Sequence, residues 1–435
     1  MKHCDLIISD GDIVSMDSSF RILESHDLAI SGGKIIDIYP TGSKKYRAKE
    51  DWDASGCFVT PGMINAHSHL PMTYLRGVAD DMPLYKWLSE YIWPLEAKLL
   101  APDFVYDASL HGAAEMLLNG ITLTNDMYFH IDKIADSCTE AGMRVIVSEA
   151  IIEAQLKDGL GHFIKRQEAI AERYKAEELV DIALAPHAIY TCGRDLLKEC
   201  AVIAAKKGWM IHTHLSETRQ ELENCLKKHG KTPYQYLHEL GFGELHCLFA
   251  HGVHLSESEL ELMASTRSAV AICTDSNLKL ASGFAPLKAL RQQGILSPLG
   301  TDGVSSNNDL DLLAELSTTA KLHKAINEDP EFLSAQEAFA LVTIDAARAL
   351  GKGDTLGSLE IGKAADLLLI DPYELNSQPL YNIYSHLVYA MNSRQIRDVF
   401  VAGKAVVQDR SLVNIYDDEL MKKAFHYEGM VERFL

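Results

Sequence analysis

The sequence is short of positive charge. Its 435 residues carry 41 Lys and Arg against 61 Asp and Glu, a formal net charge of −20, and no basic stripe interrupts that balance. Such a surface repels phosphate backbones, which argues against sequence-independent nucleic-acid binding. Long hydrophobic runs are missing as well. No stretch of about 18 apolar residues occurs, so no membrane span is expected. The N-terminal segment Met1-Lys-His-Cys-Asp-Leu-Ile-Ile-Ser lacks an apolar signal core and a cleavage site. None of the eight cysteines forms a Cys-x-x-Cys pair. They read as reduced core thiols of a cytoplasmic protein.

What is present is ordinary globular composition, 47% hydrophobic and 23% charged, in a chain long enough for one large domain and a smaller one. Both ends are rich in short strands. Asp5–Met16 and Asp27–Tyr39 flank the turn Ser31-Gly-Gly-Lys34, and Leu367–Ile370 and Val399–Val407 repeat the pattern near the C-terminus. We expect residues 1–57 and 360–415 to form one β-sandwich. Residues 416–435 read as a terminal helix.

The middle, 58–359, alternates short apolar runs with amphipathic helices. Strands are predicted at 58–66, 120–126, 144–152, 180–186, 209–214, 247–251, 269–273 and 296–301. Helices are predicted at 105–118, 131–141, 164–178, 194–207, 216–228, 284–294, 309–326 and 334–350. Eight strand–helix units of this length predict an α/β fold, a (β/α)₈ TIM barrel.

In such a barrel the chemistry sits at the C-terminal ends of the strands. Ionisable residues fall there. The first strand ends in His67-Ser-His69, the fourth in His187, the fifth in His212-Thr-His214-Leu-Ser-Glu217, the sixth in His251 and the eighth in Thr301-Asp302. A lone His of this kind is usually a satisfied core residue. Five strands ending so in register are hard to explain by packing.

His67, His69, His214 and Asp302 make a donor set for one divalent metal, Zn²⁺ ahead of Fe²⁺, with a position left for water. His212 is in phase with His214 and is an alternative ligand. His214 is preferred because it brings Glu217 close. Asp302 can take the proton of an attacking water, and Glu217 can deliver a proton to a substrate nitrogen. His251 can stabilise developing charge. No lysine ends the fourth strand, so a single ion is expected rather than two.

These residues resemble the amidohydrolase superfamily, mononuclear aminohydrolase branch. The resemblance rests on Pro61-Gly-Met-Ile-Asn-Ala-His-Ser-His69, His214-x-x-Glu217, His251 and Gly300-Thr-Asp302. Within it the chain is most similar to 5′-methylthioadenosine/S-adenosylhomocysteine deaminases. Leu75-Arg-Gly77, Leu84-Tyr-Lys-Trp87-Leu, Ile92-Trp-Pro-Leu-Glu96, Ala185-Pro-His187, Ser276-Asn-Leu-Lys-Leu-Ala-Ser-Gly283 and Thr301-Asp-Gly-Val-Ser-Ser-Asn-Asn308 carry that narrower likeness.

The resemblance implies hydrolytic deamination at C6 of an adenine nucleoside. It implies that Glu96 binds the ribose hydroxyls, Trp87 walls the nucleoside site, His187 contacts the substrate and Ser306 reaches the purine ring. The expected partners are a small nucleoside and a second copy of the chain, with neither nucleic acid nor membrane.

Two segments depart from the family pattern. Val147–Lys157 carries Glu149 and Glu153, and no arginine follows until Arg166. Glutamates near the amino-acid carboxylate of S-adenosylhomocysteine would repel it. We therefore expect a neutral 5′ group, as in methylthioadenosine, adenosine or 5′-deoxyadenosine. Cys273 stands where a His-Asn-Pro-like segment is expected, which puts ring contacts there in question. Rival readings are a hydrolase of guanine, another heterocycle or an s-triazine, and a non-catalytic scaffold on the same barrel.

Overall fold

The computed structural model describes residues 1–434. The N-terminal strands are β1 (Lys2–Val14), β2 (Ile22–Ser31), β3 (Lys34–Pro40), β4 (Tyr46–Asp53) and β5 (Phe58–Pro61). Alternation places their side chains. Leu6 and Ile8 of β1 enter a core with Leu28, Ile30, Ile35, Leu367, Leu369 and Phe400, while Ile7 between them joins Ala29 and Tyr39 in a second cluster. The β2–β3 turn uses Gly32 and Gly33 at φ of +57° and +72°, which suits a tight hairpin.

Eight strands follow: β6 (Met63–Ser68), β7 (Ile121–Tyr128), β8 (Arg144–Ile151), β9 (Val180–Ile182), β10 (Ala185–Pro186), β11 (Ile211–Leu215), β12 (His246–His251) and β13 (Arg267–Ala271). β6, β7, β8, β9 and β10 pair in parallel, as do β11, β12 and β13. Parallel bridges close the ring. Leu184 pairs with Ile211, Ile272 with Leu299, and Ser68 with Asp302. The segment ending at Asp302 is thus the eighth barrel strand, with β9 and β10 together forming the fourth.

The last strands, β14 (Leu367–Ile370), β15 (Ile396–Val401), β16 (Lys404–Gln408) and β17 (Ser411–Leu412), return to the N-terminal ones. The sheet order is β17-β16-β15-β14-β5-β1-β2-β3, with β4 beside β1. Both chain ends therefore share one continuous nine-stranded sheet. The helix Asp417–Val431 lies on the helix Pro102–Leu118, where Asp107 Oδ2 accepts from Lys423 Nζ and Tyr427 OH, both at 3.0 Å. Among the described residues no helix is long and apolar enough to cross a membrane.

Several boundaries differ from expectation, each for a local reason. The run 58–66 is two strands, because β5 pairs antiparallel with β14 and Met63 begins the barrel. The boundary drawn at 57/58 therefore moves to Pro61/Gly62. The fourth and eighth strands are short, and each contains a proline, Pro186 or Pro298, which offers no ladder donor. The helix expected at 216–228 starts at Arg219, capped by Thr218. That expected at 164–178 is Leu160–Arg173.

The helix expected at 334–350 is broken into Ala335–Ala340 and Ile344–Ala349. In the break, the carbonyls of Leu341 and Val342 accept from Leu299 N and Ile64 N, so this segment hydrogen-bonds to the first and eighth strands. Gly300 is required where those strands meet, since a Cβ there would lie 2.7 Å from the backbone nitrogen of His67.

Candidate metal centre and active site

Three strand ends bring four donor atoms together. Asp302 Oδ1 lies 3.3 Å from His67 Nε2 and 3.2 Å from His69 Nε2. His69 Nε2 lies 3.3 Å from His214 Nε2. For metal bonds of ~2.05 Å in a tetrahedron, the ligand-to-ligand edge is ~3.3 Å. The spacing thus fits a single small divalent ion.

Each imidazole is oriented by its other nitrogen, as metal-binding histidines usually are. His69 Nδ1 is 2.6 Å from Met127 O, and His214 Nδ1 is 2.9 Å from His187 O. His67 Nδ1 meets His212 Nε2 at 2.7 Å. His212 therefore stands behind His67, on the side away from Asp302, and His214 supplies the atom at the cluster. His67 Nε2 is fully buried with no hydrogen-bond partner. A buried nitrogen left bare is costly, and a metal would satisfy it. The residues present fit the group.

Asp302 adopts a left-handed backbone, φ +60°, as do His251 at +74° and Ser216 at +50°. Strain at three positions around one cluster is characteristic of functional sites. Asp302 Oδ2 accepts from Ser276 Oγ at 2.7 Å and from Ser306 Oγ at 2.9 Å. Ser306 was expected to reach the purine ring. It lines the pocket, but its hydroxyl is engaged by Asp302, so holding that carboxylate is its observed contact.

Glu217 is buried, and burial pushes its carboxyl above the usual range against the opposing pull of His251. Its Oε2 is 3.8 Å from His251 Nε2. His251 Nδ1 meets Asn277 Oδ1 at 3.0 Å. Glu217 and His251 both line the pocket, and His251 brings a ring nitrogen within 4.8 Å of donor atoms of His67 and His214.

That pocket takes in about 660 Å³ of space, open solvent at its mouth included. Trp87, Glu96 and His187 all line it. Trp87 donates from Nε1 to Val78 O at 3.3 Å. Glu96 accepts from Tyr128 OH at 2.5 Å, and burial pushes its carboxyl up to about 7. His187 is held by Thr191 Oγ1 at 3.0 Å, and burial pushes its ring down to about 3, keeping it neutral.

The rest of the wall is apolar and aromatic: Leu84, Leu88, Ile92, Trp93, Met127, Phe129, Ala150, Ile152 and Tyr190. No lysine or arginine is among the lining residues. Glu149 and Glu153, which carried the charge argument from sequence, are not there either. Glu149 pairs with Arg166 at 2.5 Å, and Glu153 Oε2 accepts from Gly193 N at 2.8 Å. The electrostatic bias comes instead from the missing cations.

Several contributors escaped the sequence reading. Tyr128 ends β7 on the pocket, and its position at a strand end was the available signal. Asp126 Oδ2 accepts from Ser68 Oγ at 2.9 Å and Leu70 N at 2.5 Å, fixing the backbone around His69. The helix Thr274–Lys279 follows Cys273 and supplies Ser276 to Asp302 and Asn277 to His251. Cys273 is buried and absent from the lining. Glu315 anchors that helix by accepting from the backbone nitrogens of Thr274 and Asp275. Nothing in the local sequence marks residues that act from behind.

Residues 58–406 match the model of the amidohydrolase family. A 5-methylthioadenosine/S-adenosylhomocysteine deaminase of Thermodesulfovibrio yellowstonii is 40% identical over 418 residues, covering 95% of each chain. The crystal structure of an adenosine deaminase from Xanthomonas campestris with bound zinc superposes with a TM-score of 0.97 at 36% identity, over 99% of each chain. An atrazine chlorohydrolase from Arthrobacter aurescens complexed with zinc superposes with a TM-score of 0.91, over 97% of this chain and 100% of that one. At 24% identity it speaks for the shared fold.

Proposed function

The chain belongs to the amidohydrolase family, and we propose that it hydrolytically deaminates adenine nucleosides, replacing the 6-amino group with oxygen and releasing ammonia. The observation that carries this reading is the gathering of His67, His69, His214 and Asp302 beside the buried Glu217, at the base of an aromatic pocket.

A divalent ion, for which we favour zinc, supplies Lewis acidity that makes water nucleophilic near neutral pH. Asp302 takes the proton that the attacking water gives up. Glu217, its carboxyl pushed up by burial, gives its proton to N1 as the oxygen adds to C6. The amino group then leaves as ammonia with the proton from Asp302, and the new hydroxyl returns a proton to Glu217 as the carbonyl forms. His251 faces the attacked carbon's oxygen and stabilises its charge. One water is consumed and one ammonia released, and both carboxyl groups recover their starting states.

Glu96 is the acceptor for the ribose hydroxyls, Trp87 the wall beside the nucleoside, and His187 a neutral contact. The pocket holds no cation for an amino-acid carboxylate, so the preferred substrates carry neutral 5′ groups: methylthioadenosine, adenosine or 5′-deoxyadenosine.

Ammonia release across these nucleosides, S-adenosylhomocysteine, guanine and an aminated s-triazine tests the reading. Turnover confined to nucleosides is expected. Turnover of guanine or the triazine without any nucleoside would overturn it, and a metal-free protein that stays inactive with added Zn²⁺ would point to a scaffold.

A further inference from the structure

Glu221 has no part in the chemistry above, yet it is buried beside it. It sits in the first turn of the helix Arg219–His229, whose N-cap Thr218 accepts from Glu221 N at 3.2 Å. A glutamate three residues after a threonine cap ordinarily reaches back to the cap's own backbone nitrogen. Glu221 reaches further. Its Oε1 accepts from Ser216 N and its Oε2 from Glu217 N, both at 2.9 Å. Those two amides belong to the turn that separates His214 from Glu217, and the turn is strained, with Ser216 at φ +50°. The same turn is tied to the loop after His251, where His254 N donates to Ser216 O at 2.9 Å.

We propose that Glu221 is a positioning residue for Glu217: its carboxylate clamps two successive backbone amides and so fixes where the proton donor stands relative to the metal ligands. Both oxygens are needed. A glutamine would offer one acceptor and turn its NH₂ toward the second amide, donor against donor. Burial pushes the Glu221 carboxyl up to about 7, and the two N–H donors pull the other way, toward the ionised form. The turn that places Glu217 would loosen, and a displacement of about 1 Å in a proton donor is enough to cost on the order of 100-fold in rate.

This assignment rests on the deaminase reading, and the test separates the two. Glu221→Gln, Glu217→Gln and the double variant are compared by kcat, KM, bound metal and Tm. In the wild-type background, Glu221→Gln is expected to lower kcat by roughly 10- to 100-fold with KM and metal content within about twofold. In the Glu217→Gln background it is expected to cost less than about twofold more, because it acts only through Glu217. Glu221→Asp, which keeps two oxygens on a shorter arm, should recover part of the loss, and it carries the same cycle if the glutamine variant fails to fold. Additive losses in the double variant, or a fall in Tm with kcat intact, would overturn the assignment while leaving the deaminase reading standing. Wild-type protein inactive on every nucleoside would overturn both.

Discussion

Glu217→Gln isolates proton delivery from everything else at the site. The amide is nearly the same size, so the pocket keeps its shape. Glu217 lies outside the four-atom cluster, and its Oε2 is 3.8 Å from His251 Nε2. Metal content should stay at the wild-type level. Folding stability should hold or rise, because burial already disfavours the charged carboxylate and the amide removes that burden. What is lost is the acid. General acid catalysis contributes about 10²- to 10⁴-fold, or roughly 2.7–5.4 kcal/mol of barrier. The assay is spectrophotometric deamination of methylthioadenosine, with elemental analysis and a thermal melt on the same preparation. The expected result is kcat down by at least about 100-fold with KM, metal and Tm close to wild type. Activity within threefold of wild type would remove Glu217 from the mechanism.

Two further outcomes follow from the pocket. Burial holds the Glu96 carboxyl near 7, and only its ionised form is a full acceptor for ribose hydroxyls, so kcat/KM should fall as pH drops below about 7. Glu96→Gln should lower kcat/KM at high pH and flatten that acid limb; a limb unchanged in the variant would assign it to another group. With no lysine or arginine in the lining, S-adenosylhomocysteine should be used with kcat/KM at least ~10-fold below methylthioadenosine, the equivalent of ~1.4 kcal/mol for a carboxylate that finds no cation there. Equal or better use of S-adenosylhomocysteine would refute the electrostatic argument.

The barrel and the polar cluster at its strand ends were legible because both leave periodic marks. Apolar runs stop at a His or Asp on five of the eight strands, and that regularity survives errors of several residues in the boundaries. The break at Pro61-Gly62 did not show, since a continuous apolar run looks alike in one strand or in two with different partners. The division at Leu341–Thr343 was hidden for a related reason. Its carbonyls serve the first strand at Ile64 and the eighth at Leu299, and no local pattern records a long-range hydrogen bond.

At the site, the histidines and aspartate on strand ends were found; Tyr128, also on a strand end, and the residues behind the cluster were not. Ser306 was expected at the purine ring from the family resemblance. The turn beginning at Gly303 instead carries its hydroxyl back to Asp302 Oδ2. The charge reading of Val147–Lys157 identified the right property from the wrong side chains. Alternation along β8 leaves Ala150 and, just beyond the strand, Ile152 on the pocket and pairs Glu149 with Arg166.

The central claim is that three imidazole nitrogens and one aspartate oxygen hold a single divalent ion. Elemental analysis of the purified chain beside Asp302→Asn measures it most directly. The account predicts about one equivalent of Zn²⁺ or Fe²⁺ per chain in the wild type and far less in the variant, whose neutral amide replaces the anionic donor. Full metal occupancy retained by Asp302→Asn, or wild-type protein that binds no divalent ion when offered one, would contradict it.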